Sequence, residues 1–135
     1  MKKRQKEPEF LEVASGKLLD SVMRQSVGGI INFTQPMKSK EAAINEVRNA
    51  LGTNQPLEEA YWCKRGSDFL ATAMRYYTEA EMNEMIQKHT GTAIVTPEMT
   101  RDEAMKKINS LKVKGQKWIT RTKSNTYKVF TLIDN

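Results

Sequence analysis

The sequence has only one cysteine and one histidine among its 135 residues. A disulfide needs two cysteines, and a structural zinc site needs about four cysteine or histidine ligands. Cys63 and His89 therefore cannot supply either kind of cross-link. A chain of this length buries roughly two-thirds of the surface that its unfolded form exposes, so a hydrophobic core alone can stabilise it. We expect no metal site and no cofactor.

Long apolar segments are also absent. The sequence contains no run of about 18 apolar residues, which is the length that a membrane-spanning helix needs. The basic start at residues 1–6 is not followed by the apolar segment that a signal peptide requires. We therefore expect a cytoplasmic protein that does not bind membranes.

No recognised catalytic pattern is present. The sequence has no Gly-rich loop followed by Lys and Ser or Thr, which a phosphate-binding loop requires. His89 stands alone as a candidate base, at the end of a predicted helix where histidines commonly cap carbonyl groups. Cys63 follows Tyr61 and Trp62 in a short apolar stretch, where a small hydrophobic cysteine is the ordinary case. We expect that the protein is not an enzyme.

The net charge of +6 is unevenly distributed along the chain. Residues 1–6 carry four basic residues and no acid, whereas residues 7–100 carry nine basic residues against thirteen acids. Residues 101–135 carry nine basic residues against three acids, a balance of +6. Like charges in so short a segment repel one another. Either a polyanionic or acidic partner offsets that repulsion, or the segment forms a solvated basic face.

The spacing of apolar residues and helix breakers predicts an α+β fold that is mostly helical, with about five short helices and a C-terminal β-hairpin. Residues 30–34 form a short apolar run that fits either a strand or a buried loop. The segments with helical spacing, the first of them interrupted by Gly16, are residues 9–25, 39–51, 57–65, 69–77, 79–89 and 101–114.

Three of these helices have sequence signatures at their ends. Ser39 is a candidate N-cap and Gly52 a candidate stop for the helix between them. Thr78 and Thr100 each precede a glutamate by three residues, which is the spacing of a capping box. In that motif the two side chains satisfy each other's backbone amides. These signals predict helix starts at residues 79 and 101.

The last part of the chain, residues 118–133, is rich in aromatic, β-branched and threonine residues and is interrupted at Lys123-Ser124-Asn125. This pattern predicts a two-stranded hairpin with its turn at those three residues. We divide the chain into a basic disordered arm (1–8), a helical N-terminal part (9–66) and a C-terminal part (67–135), the last two forming one compact domain. No internal repeat is evident.

The order helix, helix, helix and hairpin in the C-terminal part resembles the winged-helix form of the helix-turn-helix architecture, without indicating a particular family. The resemblance implies that the third helix, residues 101–114, lies in the major groove of duplex DNA while the hairpin follows neighbouring phosphates. One feature departs from it, because residues 92–99 are longer than the expected tight turn. Either the turn carries an insertion, or Ile94 and Val95 add a short strand and the helices are numbered wrongly.

The candidate site is the basic surface of the third helix and the hairpin. If Ala104, Ile108 and Leu111 face the core, a rotation of about 100° per residue turns the polar residues outward. Asp102 and Glu103 would repel phosphates at the first turn, so we expect backbone contacts to matter more than base reading. The predicted nucleic-acid-binding residues are Lys106, Lys107, Asn109, Lys112, Lys114, Lys117, Arg121, Lys123 and Lys128.

Two functions of different classes follow from this site. The first is a small winged-helix-like protein that binds nucleic acid, in the first place duplex DNA, in a regulatory or accessory role such as transcription regulation. The alternative is a protein-interaction module, an adaptor or inhibitor, that docks its basic hairpin on an acidic or nucleoprotein partner. The N-terminal helices supply core or a homodimer interface. The sequence leaves the choice between DNA and RNA open.

Overall fold

The computed structural model of the chain covers most of the sequence. It describes residues 10–14, 16–24, 28–52 and 56–134. The predicted basic arm at residues 1–8 lies outside the described residues. Among these residues there are four helices and eight strands, and none of the four helices is long and apolar enough to cross a membrane.

The chain divides into two compact units. The first consists of Met1–Ser26 and Ile30–Arg75, and the second consists of Val27–Gly29 and Tyr76–Asn135. Each unit has its own β-sheet with two helices. A division at residue 66, as the sequence suggested, would separate two strands that are hydrogen-bonded to each other.

The first unit contains a four-stranded mixed sheet and two helices. In chain order its elements are β1 (Leu11–Glu12), α1 (Gly16–Arg24), β2 (Ile30–Phe33), α2 (Lys40–Leu51), β3 (Glu59–Arg65) and β4 (Asp68–Arg75). The strands are ordered β1-β3-β4-β2 across the sheet. β1 runs parallel to β3, and the other neighbouring strands are antiparallel.

The core of the first unit lies between α2 and the sheet. Ser39 caps the start of α2 by accepting a hydrogen bond of 3.0 Å from a first-turn amide, and Gly52 ends the helix with a φ of 49°. Ala43 and Val47 on the inner side of the helix are fully buried and pack in one cluster with Ala73 of β4. α1 contacts β3 and β4.

The second unit has the same composition of elements. In chain order they are β5 (Tyr77–Thr78), α3 (Glu79–Lys88), β6 (Thr92–Val95), α4 (Arg101–Ser110), β7 (Gly115–Arg121) and β8 (Tyr127–Ile133). The strands are ordered β5-β7-β8-β6. β5 runs parallel to β7, and the other neighbouring strands are antiparallel.

The two helices of the second unit cover opposite faces of its sheet. α3 packs Met82 against Phe130 of β8. α4 contacts β7 and β8, and the side chains of Ile108 and Ile119 both lie next to Gly28. Trp118 pairs with Phe130, and Ile119 is the next residue of β7. The Ile119 side chain therefore points to the face of the sheet opposite to that of Phe130. The hairpin is therefore buried between two helices.

The two units repeat one topology. In each unit a strand, a helix, a strand, a helix and two further strands follow one another, and the strands are ordered first, third, fourth, second. The parallel and antiparallel pairings are also the same. The sequence did not reveal this repeat.

Local contacts repeat as well. Thr34 Oγ1 accepts a hydrogen bond of 3.0 Å from an amide of β4, and Thr96 Oγ1 accepts one of 2.9 Å from an amide of β8. Three residues after these threonines, Met37 forms an isolated bridge to β4 and Met99 forms one to β8. The N-caps that follow are Ser39 and Thr100. The residues four and eight positions after each of them are fully buried: Ala43 and Val47 in α2, and Ala104 and Ile108 in α4.

The prediction of a mostly helical fold with about five helices is wrong. Residues 57–65 and 69–77, which have helical spacing, instead contribute β3 and β4. A short apolar run between glycines fits a buried strand as well as a buried helix, because periodicity alone does not separate them. β4 is buried at every residue of Ala71–Arg75, so its apolar residues do not alternate with polar ones.

The winged-helix architecture is also overturned. The predicted first helix of that module is β4, and β6 separates α3 from α4, so these segments form no helix-turn-helix. The alternative that Ile94 and Val95 belong to a short strand is confirmed.

Three helix starts and the C-terminal hairpin are confirmed, whereas the first predicted helix, residues 9–25, instead contains β1 and the shorter α1. Ser39, Thr78 and Thr100 are N-caps, and both capping boxes are present. β7 and β8 form the hairpin, and the short run at residues 30–34 contains β2. α4 is shorter than predicted and ends at Ser110.

Candidate nucleic-acid interface

α4 is positioned by its capping box. Glu103 Oε1 accepts a hydrogen bond of 3.0 Å from the Thr100 amide, and Thr100 Oγ1 accepts one of 3.2 Å from the Glu103 amide. Hydrogen bonding to the Thr100 backbone, and secondly to its side chain, lowers the pKa of Glu103 below its ordinary value. Two residues thus fix the start of the helix and the direction of its side chains.

α4 directs its basic residues into solvent. Ala104 and Ile108 are fully buried and Leu111 is partly buried, which confirms the predicted inner side. The exposed polar residues of the outer side and of the following loop include Lys106, Lys107, Asn109, Ser110, Lys112 and Lys114. We call the four lysines among them the α4 lysines. None of them forms an ion pair within the described part of the chain.

An open groove runs along the outer side of α4. It is lined by Met99, Glu103, Lys106, Lys107 and Ser110. These residues are mostly three or four positions apart, so they form one stripe along the helix. The groove is thus lined by two lysines, one glutamate, one serine and one methionine.

The charge changes sign along α4. Asp102 and Glu103 are exposed in its first turn, whereas the α4 lysines follow in the second half and in the loop. Acids at the start and cations at the end of a helix both favour its dipole. An approaching phosphate is therefore attracted to the C-terminal half and repelled by the N-terminal turn.

The predicted basic residues of the hairpin are mostly held by other groups of the second unit. Lys117 Nζ donates a hydrogen bond of 2.8 Å to the carbonyl oxygen of Leu111. Arg121 Nη2 donates one of 3.3 Å to Asn125 Oδ1, and its guanidinium carbon lies 5.9 Å from the centroid of the Tyr127 ring. Lys117 thus joins the hairpin to the end of α4, and Arg121 supports the hairpin near its turn.

Glu79 offsets the positive charge at the turn of the hairpin. Its Oε2 lies 3.7 Å from Lys128 Nζ, and its Oε1 accepts a hydrogen bond of 3.3 Å from the Lys123 amide. The Lys123 side chain is exposed. β7 has seven residues, so Lys123 lies roughly 20 Å from the loop that follows α4. The nine predicted residues therefore do not form one site, and the α4 lysines are the group that the fold leaves free.

A second surface, absent from the sequence-based prediction, lies on the first unit. Lys40 Nζ is 4.8 Å from the centroid of the Trp62 ring, and Lys64 Nζ is 5.9 Å from that of Phe69. The two ring centroids are 6.1 Å apart. We call these four residues the Trp62 surface. The spacing of two residues between Trp62 and Lys64 would place them on one face of a strand, and this was the signal in the sequence for the surface. The prediction of a helix over residues 57–65 concealed it.

The cysteine and the histidine lie in structural environments. Burial raises the pKa of the Cys63 thiol, which disfavours the reactive thiolate. His89 Nε2 lies 2.8 Å from the carbonyl oxygen of Ile133. Within the described ranges, no three His, Cys, Asp or Glu side chains are grouped so that they could hold a metal ion.

No protein-family model, no curated protein and no solved structure matches the chain.

Proposed function

We propose that the protein binds nucleic acid through the α4 lysines, with the phosphates of duplex DNA as the principal ligand. One observation carries the proposal: four exposed ammonium groups lie between residues 106 and 114, and none of them forms an ion pair within the described residues. Clustered cations of this kind attract a polyanion and release its counterions on binding.

The arrangement favours contacts with the sugar-phosphate backbone. Lysine is a compact point charge on a flexible stem, which suits phosphate contacts more than a fixed pattern of base edges. Asn109 supplies one exposed amide of the type that reads adenine. We therefore propose weak sequence preference and an accessory role.

Titration of labelled duplex DNA over a series of salt concentrations tests the proposal. Four phosphate contacts at roughly 0.9 each predict a slope of about −3.6 for log affinity against log salt concentration, read by fluorescence anisotropy. Binding weaker than about 1 mM at low salt, or an affinity independent of salt, would contradict the proposal.

A second candidate function, a protein-interaction module, is favoured by two of the four edge strands, β2 and β6. Neither β2 nor β6 contains a charged residue or a proline, which are common protections of sheet edges. The hydrogen bonds of Thr34 and Thr96 to the inner strands leave the backbones of Phe33 and Val95 facing outward. The side chains of Phe33 and Val95 are 46% and 39% exposed. An extended segment of a partner protein could add a strand there.

Selection of peptides from a random library tests this second candidate. Peptides with alternating apolar residues that no longer bind Phe33→Lys or Val95→Lys would support it, because an edge lysine opposes strand addition. Acidic peptides that instead lose binding to Lys123→Glu would support docking through the hairpin. If no enriched peptide distinguishes these variants from the original chain, the candidate is wrong.

A further inference from the structure

We infer that the Trp62 surface of the first unit binds the unpaired bases of single-stranded nucleic acid. The inference extends the proposed function to a second ligand form. It rests, however, on other residues and on the other unit.

The fold brings aromatic and cationic side chains together on one face. Trp62 and Lys64 are two residues apart in β3 and so point to the same side, and Lys64 lies directly opposite Phe69 of β4. Lys40 is the first residue of α2, which packs on that side. Trp62 and Phe69 are both partly exposed. Two adjacent ring faces are thus bordered by two ammonium groups.

A base can replace a lysine on these rings at a gain in free energy. Stacking of a base on an aromatic side chain stabilises a complex more than an exposed contact between an ammonium group and an aromatic ring does. The displaced lysine stays within reach of the phosphate that follows the stacked base, so its ammonium group can pair with that phosphate.

Charges of both signs surround the two rings. Lys38 is paired with Asp68, their Nζ and Oδ1 atoms being 3.1 Å apart. Lys40 and Lys64 border the rings, whereas Glu12 pairs with Trp62 across β1 and β3 and Glu41 lies in the first turn of α2. The two ammonium groups next to the rings are therefore the contacts that this face offers to the phosphates of a stacked strand.

The ligand is a single strand because a duplex hides the faces of its bases. Only unpaired bases can lie flat on an aromatic ring without breaking a base pair. The corresponding position of the second unit does not offer this platform. There Arg121 lies over Tyr127, but Tyr127 is only 7% exposed and the ring of Tyr76 packs against it edge-on at 5.6 Å. The surface is therefore specific to the first unit.

The two tryptophans of the chain allow a direct test by fluorescence. In Trp118→Phe the sole tryptophan is Trp62, whose emission is expected to be quenched in a saturable manner by a short oligothymidylate. Heparin, a polyanion without bases, is expected to leave the emission unchanged. In the matched variant Trp62→Phe the remaining Trp118 should not respond to the oligothymidylate. No quenching of Trp62, or equal quenching by heparin, would overturn the inference.

Affinity measurements complete the test. Trp62→Ala should weaken oligothymidylate binding about tenfold or more, and Trp62→Phe should restore most of it. If the circular dichroism spectrum shows that Trp62→Ala is unfolded, the double variant Lys40→Gln with Lys64→Gln is measured instead. Its slope of log affinity against log salt concentration should be less negative by about 1.4. Unchanged binding in a folded variant overturns the inference.

The failure of one proposal can be told from the failure of the other. Quenching of Trp62 without any duplex binding would retain this inference and refute the role of the α4 lysines. Duplex binding without quenching of Trp62 would do the opposite.

Discussion

Replacing Lys106, Lys107 and Lys112 together by glutamate is expected to weaken binding to duplex DNA about a thousandfold. Each reversed charge removes a phosphate contact and adds a repulsive one, which we take as about tenfold per residue. The salt slope should also become less negative by about 2.7, because three contacts of roughly 0.9 each are lost. The measurement is anisotropy of labelled duplex DNA at several salt concentrations.

A matched variant separates local contacts from total charge. Lys17, Arg24 and Lys88 are exposed basic residues outside α4 and its loop. Their joint replacement by glutamate changes the net charge from +6 to 0, since three reversals remove six charges, as does the α4 variant. We expect this control to keep most of the affinity. Equal losses in the two variants would show that only the overall charge matters.

Phe130→Ala is expected to lower the free energy of unfolding by about 4 kcal/mol. The Phe130 side chain is fully buried in β8, packs in one cluster with Met82 of α3, and lies edge-on to the Tyr77 ring at 5.8 Å. Removing the ring takes away apolar contacts and leaves a cavity between helix and sheet. Denaturation in urea, followed by circular dichroism, measures the loss.

The same substitution at an exposed phenylalanine is the control. Phe33 is 46% exposed on the edge strand β2, so Phe33→Ala should cost less than about 1 kcal/mol. A comparable loss of stability in both variants would contradict the placement of Phe130 in the core.

Helix starts could be read from the sequence because their determinants are local. The exchange of hydrogen bonds between Thr100 and Glu103 involves residues three positions apart, and Ser39 caps α2 through its own first turn. The same reasoning placed Ala104 and Ile108 on the inner side of α4. It therefore also predicted the exposure of the α4 lysines.

The strands of the first unit could not be read in this way. β3 and β4 owe their conformation to pairing with each other and to burial beneath α2, both of which depend on residues distant in sequence. β4 in particular carries Ala71 and Ala73, which fit a helix equally well. Because these two segments were predicted to be helices, the prediction contained neither the hairpin of the first unit nor the Trp62 surface.

The internal repeat escaped the sequence for a related reason. The shared features are a threonine, a methionine three residues later, and buried small or branched residues after each N-cap, such as Val47 and Ile108. Corresponding core positions differ in kind, because Thr72 of β4 stands where β8 has Phe130. Apart from this threonine and methionine, the units resemble each other in their hydrogen-bond partners rather than in residue identities.

The partition of the nine predicted basic residues also needed the structure. Whether a lysine is available to a ligand depends on its neighbours, and Leu111 and Glu79 engage Lys117 and Lys128 respectively. Nothing in the local sequence announces either contact, since Glu79 is 49 positions before Lys128. The structure reduces the candidate interface to the α4 lysines, because the exposed Lys123 lies roughly 20 Å from the loop that follows α4.

The most direct test of the account is an amide proton–nitrogen correlation spectrum of the labelled protein, recorded during titration with duplex DNA. We predict that the largest shifts fall on the second half of α4 and the following loop, from Lys106 to Lys114, and that they diminish with added salt. Shifts concentrated elsewhere, or no shifts at low salt, would contradict the proposal that the α4 lysines bind nucleic acid.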